Sequence, residues 1–419
     1  MRRERTPIYE KSRLYSACLW LASHYIHHSF RHYKCVGHER IPKDGALIFA
    51  SNHCDSLMDP LAVLAIDGST KVFVARADIF NSFVAHKILT FMKILPIHRM
   101  RDGLHNVIKT EDTIEKSIDV VEHNVNFCIF PEGRHRTMHS LLPFGKGLSR
   151  IALGAYRRLE GKKQIYIVPV GCEYNDYFRY RSTLLINVGE PINVSKYIEE
   201  NGEMSENDLL QGLKTLTADA IREQILYIPD DENYEPVWTL SRIATGRIPK
   251  RMQEERLEAN RASVRRLLNF KEKNPVEATE LFSRVMAFDK ARRRAKISLN
   301  AFAPRKKGLY LAGITTALVA LFPLFTVAAT ISLPTWVTAE ILACIVRDPA
   351  FRNPLRCATI TMLWSLLLIF AVIPAPFFTY DYFELARQTA SSWRNMFANK
   401  LNTEYETLYS IVGSLPDAD

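Results

Sequence analysis

The residue types best suited to chemistry stand close together in Ser51-Asn52-His53-Cys54-Asp55-Ser56-Leu57-Met58-Asp59-Pro60. An imidazole can take a proton from a hydroxyl near neutral pH. A carboxylate folded onto its second nitrogen fixes the tautomer and steadies the imidazolium that forms. His53 and Asp59 are spaced so that one short loop can bring them together. A plainer reading carries equal weight on this stretch alone. Asp59 then caps a helix that has Pro60 at its first position, and His53 is a turn residue.

The elements around the stretch are those such a pair needs. Ala46-Leu47-Ile48-Phe49-Ala50 reads as a buried strand, and Leu61 to Ile66 as a helix. His53 therefore sits where a strand ends. A second apolar run, Phe127-Cys128-Ile129-Phe130, leads into Pro131-Glu132-Gly133 and then Arg134-His135-Arg136. Between them lies Leu95-Pro96-Ile97-His98-Arg99. After them come Leu142-Pro143-Phe144-Gly145-Lys146-Gly147, Ile167-Val168-Pro169-Val170-Gly171 and Val188-Gly189-Glu190-Pro191-Ile192.

This ordered set resembles the glycerol-phosphate acyltransferase family, whose members include 1-acylglycerol-3-phosphate acyltransferases. The likeness covers about residues 36 to 225. It rests on an Asn-His pair followed by Asp, a block ending in Arg99, Phe-Pro-Glu-Gly and a Val-Pro-Val strand. Several blocks in the right order are far more specific than any one alone. There are departures. Five residues, Cys54 to Met58, separate His53 from Asp59, where four are commoner. The Arg99 block lacks a glycine often found before it, and Arg134-His135-Arg136 replaces small or hydroxyl residues.

The resemblance implies an enzyme that moves an acyl group from a thioester to an alcohol. His53 is then the general base and Asp59 its orienter. The acceptor carries a phosphate, which Arg99 can grip with its planar fork and Lys146 can meet as a point charge. Glu132 can bind a glycerol hydroxyl, and Gly133 lets the backbone approach the acceptor. Glu132 is otherwise a loop cap and Lys146 a surface charge. For Arg134 and Arg136, phosphate binding and plain exposure stand level. Cys54 reads as filling space, since nothing marks it as an activated thiolate. No resident cofactor is expected, with acyl-CoA or acyl-carrier-protein as co-substrate. His135 and His139 share a helical spacing but have no visible acidic or thiol partner in sequence, so no metal is expected. Three readings follow: an enzyme acylating 1-acylglycerol-3-phosphate to phosphatidic acid, one using glycerol-3-phosphate or another lyso-lipid, or a non-catalytic membrane adaptor on the same fold.

The chain has 419 residues, enough for two or three units, and a net charge of +10. Such a balance favours an acidic partner, nucleic acid or anionic membrane. No nucleic-acid recognition motif is present, so membrane lipid is the expected partner. Seven scattered cysteines suggest neither a disulfide framework nor a zinc site. No signal peptide is expected, since no apolar core soon follows Met-Arg-Arg-Glu-Arg.

The expected organisation has five parts. Residues 1–35 form an N-terminal amphipathic helix, packed or interfacial. Residues 36–225 form an α/β acyltransferase domain with a mainly buried sheet. Its strands are expected at 46–50, 72–75, 94–97, 127–130, 165–170 and 184–188. Residues 226–307 form a basic helical region, and 381–419 a polar tail. Residues 308–380 form a transmembrane helical hairpin, with arms 308–331 and 357–380 free of charge and long enough to cross ~30 Å of hydrocarbon. The short apolar stretch 333–346 lies between them as a separate re-entrant, interfacial or extra short spanning piece. Arg305, Lys306 and Lys307 mark the cytoplasmic side. The expected protein is thus integral to a membrane, with its catalytic domain on the cytoplasmic face.

Overall fold

A computed structural model describes residues 7–10, 12–97, 104–177, 179–346, 352–366 and 375–416. The chain divides into two compact units, residues 1–225 and 226–419.

The first unit is built on one mixed sheet. Its strands are β1 (His32–Val36), β2 (Ala46–Ser51), β3 (Lys71–Arg76), β4 (Ile94–Ile97), β5 (Asn126–Ile129), β6 (Ile165–Tyr174), β7 (Thr183–Val188) and β8 (Ile192–Asn193). The spatial order is β1-β7-β6-β2-β5-β3-β4, with β8 on β6. Strands β6, β2, β5, β3 and β4 pair in parallel; β7 runs antiparallel to β6. Every residue of β2 is buried, as its unbroken apolar run requires. The helices α4 (Leu104–Glu122), α5 (Gly147–Leu159), α6 (Val194–Glu200) and α7 (Glu206–Arg222) cover one face. Ile118, Ile151, Leu153 and Leu213 there meet Ile48, Phe127 and Ile167 of the sheet.

Two strands lay outside the sequence reading. β1 mixes His32, Tyr33 and Lys34 with Cys35 and Val36, and is only half buried, so its apolar signal is weak. β8 has two residues. Helix α7 begins at Glu206, with the Ser205 hydroxyl accepting the Asp208 N–H.

Helices α1 (Arg13–Ser29) and α3 (Phe83–Phe91) of this unit each expose apolar side chains. α1 buries Tyr15, Leu19, Tyr25 and Ile26 but shows Leu14 and Trp20. α3, capped by the Ser82 hydroxyl, buries none of its residues. Phe83, Val84 and Ile88 are exposed.

The second unit is helical: α8 (Tyr234–Ala244), α9 (Gln253–Lys273), α10 (Pro275–Arg294), α11 (Gly308–Ile345), α12 (Arg352–Leu366), α13 (Ala375–Met396) and α14 (Asn399–Ser414). Its core joins Leu240, Ile243, Leu267, Val285 and Phe288 to Tyr405, Leu408 and Val412 of α14. The Tyr405 ring stacks on Phe302, and its hydroxyl donates to Ile243 O at 3.1 Å. The segment expected as a polar tail is therefore a packed part of this unit. Its charged residues hid a face at helical spacing. The basic region is less free than its charge suggests. Arg256 reaches the carbonyls of Thr245 and Ile248, and buried Arg292 pairs with Asp289.

The helix α11 is long and apolar enough to cross a membrane. It corrects the sequence reading in one respect. The stretch 333–346 is no separate piece, because the helix runs through Pro323 and Pro334 for 38 residues. Proline in sequence reads as a break, but packing along α12 and α13 carries the helix past it. The other expected arm, 357–380, spans the end of α12 and the start of α13, and residues 367–374 lie outside the described residues. The described residues thus give one apolar span and not the expected pair.

Candidate active site

Strands β2 and β5 are parallel neighbours, so their C-terminal ends open at the same edge of the sheet. Loops at that edge are where open α/β sheets place their ligands. The turn after β2 carries His53, and the turn after β5 carries Glu132.

His53 Nδ1 lies 2.8 Å from Asp59 Oδ2. The extra residue between them does not part them. Helix α2 (Met58–Leu64) begins one residue before Asp59, with Leu57 at its N-cap. Asp59 is thus not the cap that Pro60 suggested. Its Oδ2 instead accepts the upstream N–H groups of Cys54 and Asp55, each at 2.8 Å. Its Oδ1 accepts the Tyr174 hydroxyl at 2.7 Å. The carboxylate is fully buried, and every one of these donors offsets its loss of water.

The imidazole of His53 stacks on the Phe130 ring at 4.3 Å and meets His135 edge-on at 5.6 Å. Its backbone is held as firmly. The His53 N–H donates to Glu132 Oε1 at 2.8 Å, and His53 O accepts the Arg136 N–H at 2.9 Å. Glu132 Oε2 accepts the Leu142 N–H at 2.9 Å, so one carboxylate ties the two turns and the following loop together. Burial pushes the Glu132 carboxyl up to about 7, against the pull of those two amides and of His53. Gly133 has a φ of 66°, in the region that glycine adopts without strain, and its Cβ position faces open space.

Asn52 supplies a clamp that its place in the motif did not disclose. Its Oδ1 accepts Cys172 N–H at 2.8 Å and its Nδ2 donates to Cys172 O at 3.1 Å. The side chain acts as one more strand residue, extending the β2–β6 pairing past Ser51. The Cys54 thiol accepts from Asn52 Nδ2 at 3.0 Å. Burial and the nearby carboxylates Asp59 and Glu132 push this thiol well above its ordinary range. That is the reverse of thiolate activation.

The other expected site residues are placed variously. Arg134 is exposed on the turn after Gly133. Arg136 turns inward, donating to the Ser140 hydroxyl at 2.7 Å. Lys146 is exposed at the N-cap of α5 and binds Asn207 Oδ1 at 2.7 Å. Among the described residues no hydrogen bond or ion pair joins Lys146 to His53 or Asp59. Arg99 lies outside the described residues, two beyond the end of β4. His135 and His139 part company: His135 stands by His53, while buried His139 has the Tyr177 hydroxyl at 3.2 Å and Glu173 at 3.4 Å. The sequence reading had seen no acidic partner there. Phe130 and Tyr174 were also missed. Phe130 lies in a quoted motif, but Tyr174 carries no sequence signal.

An imidazole held by a buried carboxylate, at the open edge of a parallel sheet, is an arrangement able to take a proton from a bound hydroxyl. Comparison with known proteins gives it a class. Residues 32–173 match the family model described as Acyltransferase, and they form an acyltransferase domain. Glycerol-3-phosphate O-acyltransferase 2 of Saccharomyces cerevisiae is 31% identical over 26% of this chain and 15% of its own. An uncharacterized acyltransferase of Schizosaccharomyces pombe is 21% identical over 52% of this chain and 45% of its own. The chain thus spans less than half the length of these curated relatives. The crystal structure of 1-acyl-sn-glycerophosphate acyltransferase from Thermotoga maritima aligns with 51% of this chain and 83% of its own at a TM-score of 0.37 and 18% identity.

Proposed function

We propose that the protein transfers a fatty acyl group from a thioester, acyl-CoA or acyl-carrier-protein, to the free hydroxyl of 1-acylglycerol-3-phosphate, giving phosphatidic acid. The observation that carries this reading is the 2.8 Å contact of His53 Nδ1 with Asp59 Oδ2 inside an acyltransferase domain. With Nδ1 committed to the carboxylate, Nε2 is the nitrogen that takes the acceptor proton. The freed oxygen attacks the thioester carbonyl carbon, and the tetrahedral adduct collapses with loss of thiolate. His53 returns the proton to the sulfur. Thiolate leaves readily, so no acyl-enzyme is needed. Asp59 holds the imidazole in the productive tautomer and steadies its charge. Arg99, Arg134 and Lys146 are the cations assigned to the phosphate, and Glu132 with Gly133 shapes the floor beneath it.

The substrate and product are lipids, and several features suit a bilayer. Helix α11 leaves most of its apolar side chains on the surface, and Arg305, Lys306 and Lys307 precede it. Basic residues beside a span favour the cytoplasmic leaflet, where thioester donors are made. The exposed Phe83, Val84 and Ile88 of α3 fit the same surroundings. The second arm of the membrane hairpin, 357–380, belongs to this proposal.

A second reading exchanges the acceptor for glycerol-3-phosphate, and the name of the 31% identical yeast relative favours it. One assay separates the two. Membranes containing the protein receive labelled acyl-CoA or acyl-carrier-protein with each acceptor, and products are resolved by mass. Diacylated phosphatidic acid from the lyso-lipid alone supports the first reading. A monoacyl product from glycerol-3-phosphate supports the second. No transfer to either acceptor, with the chain folded, leaves a non-catalytic adaptor.

A further inference from the structure

Three of the donors that hold Asp59 come from its own loop: His53 and the amides of Cys54 and Asp55. The fourth comes from another element. Tyr174 is the last residue of β6, and its hydroxyl donates to Asp59 Oδ1 at 2.7 Å. The ring is fully buried and packs near Phe30 and Tyr177. Residue 174 stands just past the matched stretch 32–173, and no motif block includes it.

How the phenol reaches Asp59 is set by strand geometry. β6 pairs with β2 only as far as Ser51 opposite Val170. Beyond that point the Asn52 side chain grips Cys172 through both its backbone groups. Residues two apart on a strand share a face. Fixing Cys172 therefore fixes the face and depth of Tyr174. A closed circuit results: Asn52 holds Cys172, β6 carries Tyr174, Tyr174 holds Asp59, and Asp59 holds His53.

We propose that Tyr174 is a positioning residue of the His53–Asp59 pair, holding the far oxygen of Asp59 so that the near one stays on the imidazole. The proposal rests on the reading of His53 as the base. A buried carboxylate with one oxygen unpartnered turns to find a donor, and the imidazole turns with it. Burial keeps the phenol protonated, so it donates across the working pH range. Removing that donor leaves the pair more basic as a unit, so protons bind it more tightly. The groups facing Asp59 are His53, Cys54 and Asp55 on its own loop, Tyr174 and Cys172 on β6, Cys128 on β5 and Glu132 after β5. Burial pushes the three thiols and the Asp55 carboxyl well above their ordinary ranges. Glu132 titrates near neutrality but has no hydrogen bond to Tyr174, so its titration is common to both proteins compared.

The test is the pH profile of kcat/KM for the full chain in detergent, with the acceptor the mass assay selects. Tyr174→Phe should lower kcat by ~10-fold, leave KM for the donor unchanged, and move the acidic limb upward by roughly half a pH unit or more. A 3-fluorotyrosine placed at position 174 keeps size and hydroxyl but donates more strongly. It should move the limb the other way, and it guards against a misfolded Phe variant. Wild-type limbs in both proteins would overturn the assignment, even with a lowered rate. If His53→Ala is fully active, the functional reading itself falls. An inactive His53→Ala beside unshifted Tyr174 variants removes only Tyr174.

Discussion

Two buried carboxylates serve the same edge of the sheet and are held differently. Asp59 receives four donors, among them an imidazole and a phenol. Glu132 receives two backbone amides, and burial outweighs them, leaving its carboxyl near 7. The first arrangement suits a group that orients a base. The second suits a brace that ties two turns and can change protonation within the working range. The same residue class thus takes two roles, decided by how many donors the fold supplies.

Mutation can break this contrast. The largest effect is expected at His53, the proposed base, which both carboxylates contact. His53→Ala should lower turnover by at least ~10² at an unchanged melting temperature, read by acyl transfer and circular dichroism. Activity near wild type would remove the dyad altogether.

Asp59→Asn comes next. Asparagine cannot satisfy the donors that converge on the acid, so turnover should fall ~10²-fold and stability by about 1–3 kcal/mol. A fully active, fully stable variant would remove Asp59 as the orienter of His53 and erase its difference from Glu132.

Glu132 should show itself through pH. The folded carboxyl binds its proton more tightly, near 7, than the unfolded one at 4.5. The folded state therefore holds more protons between those values, and stability falls as pH rises across that window. The loss should reach on the order of 3 kcal/mol and be complete just above pH 7. Glu132→Gln should flatten the melting temperature across pH 4.5 to 7, while activity drops only several-fold. An equal slope in both proteins would assign the pH dependence elsewhere.

The smallest effect is expected at Cys54. Its thiol is buried and held protonated, so Cys54→Ala should change turnover less than ~2-fold and cost about 1 kcal/mol. A trapped acyl-thioester on the protein would overturn the direct transfer.

These residues differ in how far sequence discloses them. His53 and Asp59 lie in one turn, so type and spacing brought them together on paper as in the fold. The six expected strands reappear within a few residues, because each is a short apolar run. Tyr174 meets Asp59 only because β6 lies beside β2, which no local pattern reveals. The grip of Asn52 on Cys172 is hidden for the same reason. Glu132 was visible as a motif residue, yet its two amide bonds depend on where Leu142 returns. In the second unit, α14 looked like a tail because its buried Tyr405, Leu408 and Val412 are thinly spaced among polar residues. Arg99, outside the described residues, stays an expectation of the motif.

The length of α11 has a consequence of its own. At 1.5 Å per residue its 38 residues form a rod about 57 Å long, nearly twice the ~30 Å of a hydrocarbon layer. An upright rod of that size overhangs, and ordinary tilts absorb only part of the excess. The C-terminal end suits the overhang, since Glu340 there forms a two-pronged pair with Arg356 at 2.7 and 2.8 Å. A charged pair of that kind belongs at or beyond the headgroups. In the membrane setting proposed above, the helix would act as a ruler, fixing how far its charged end stands clear of the lipid. The exposed thiol of Cys344, just past Glu340, is a built-in mark on that ruler. A membrane-impermeant maleimide that reacts with it in intact vesicles reports which side the overhang faces, and failure to react from either side would place that end inside the bilayer.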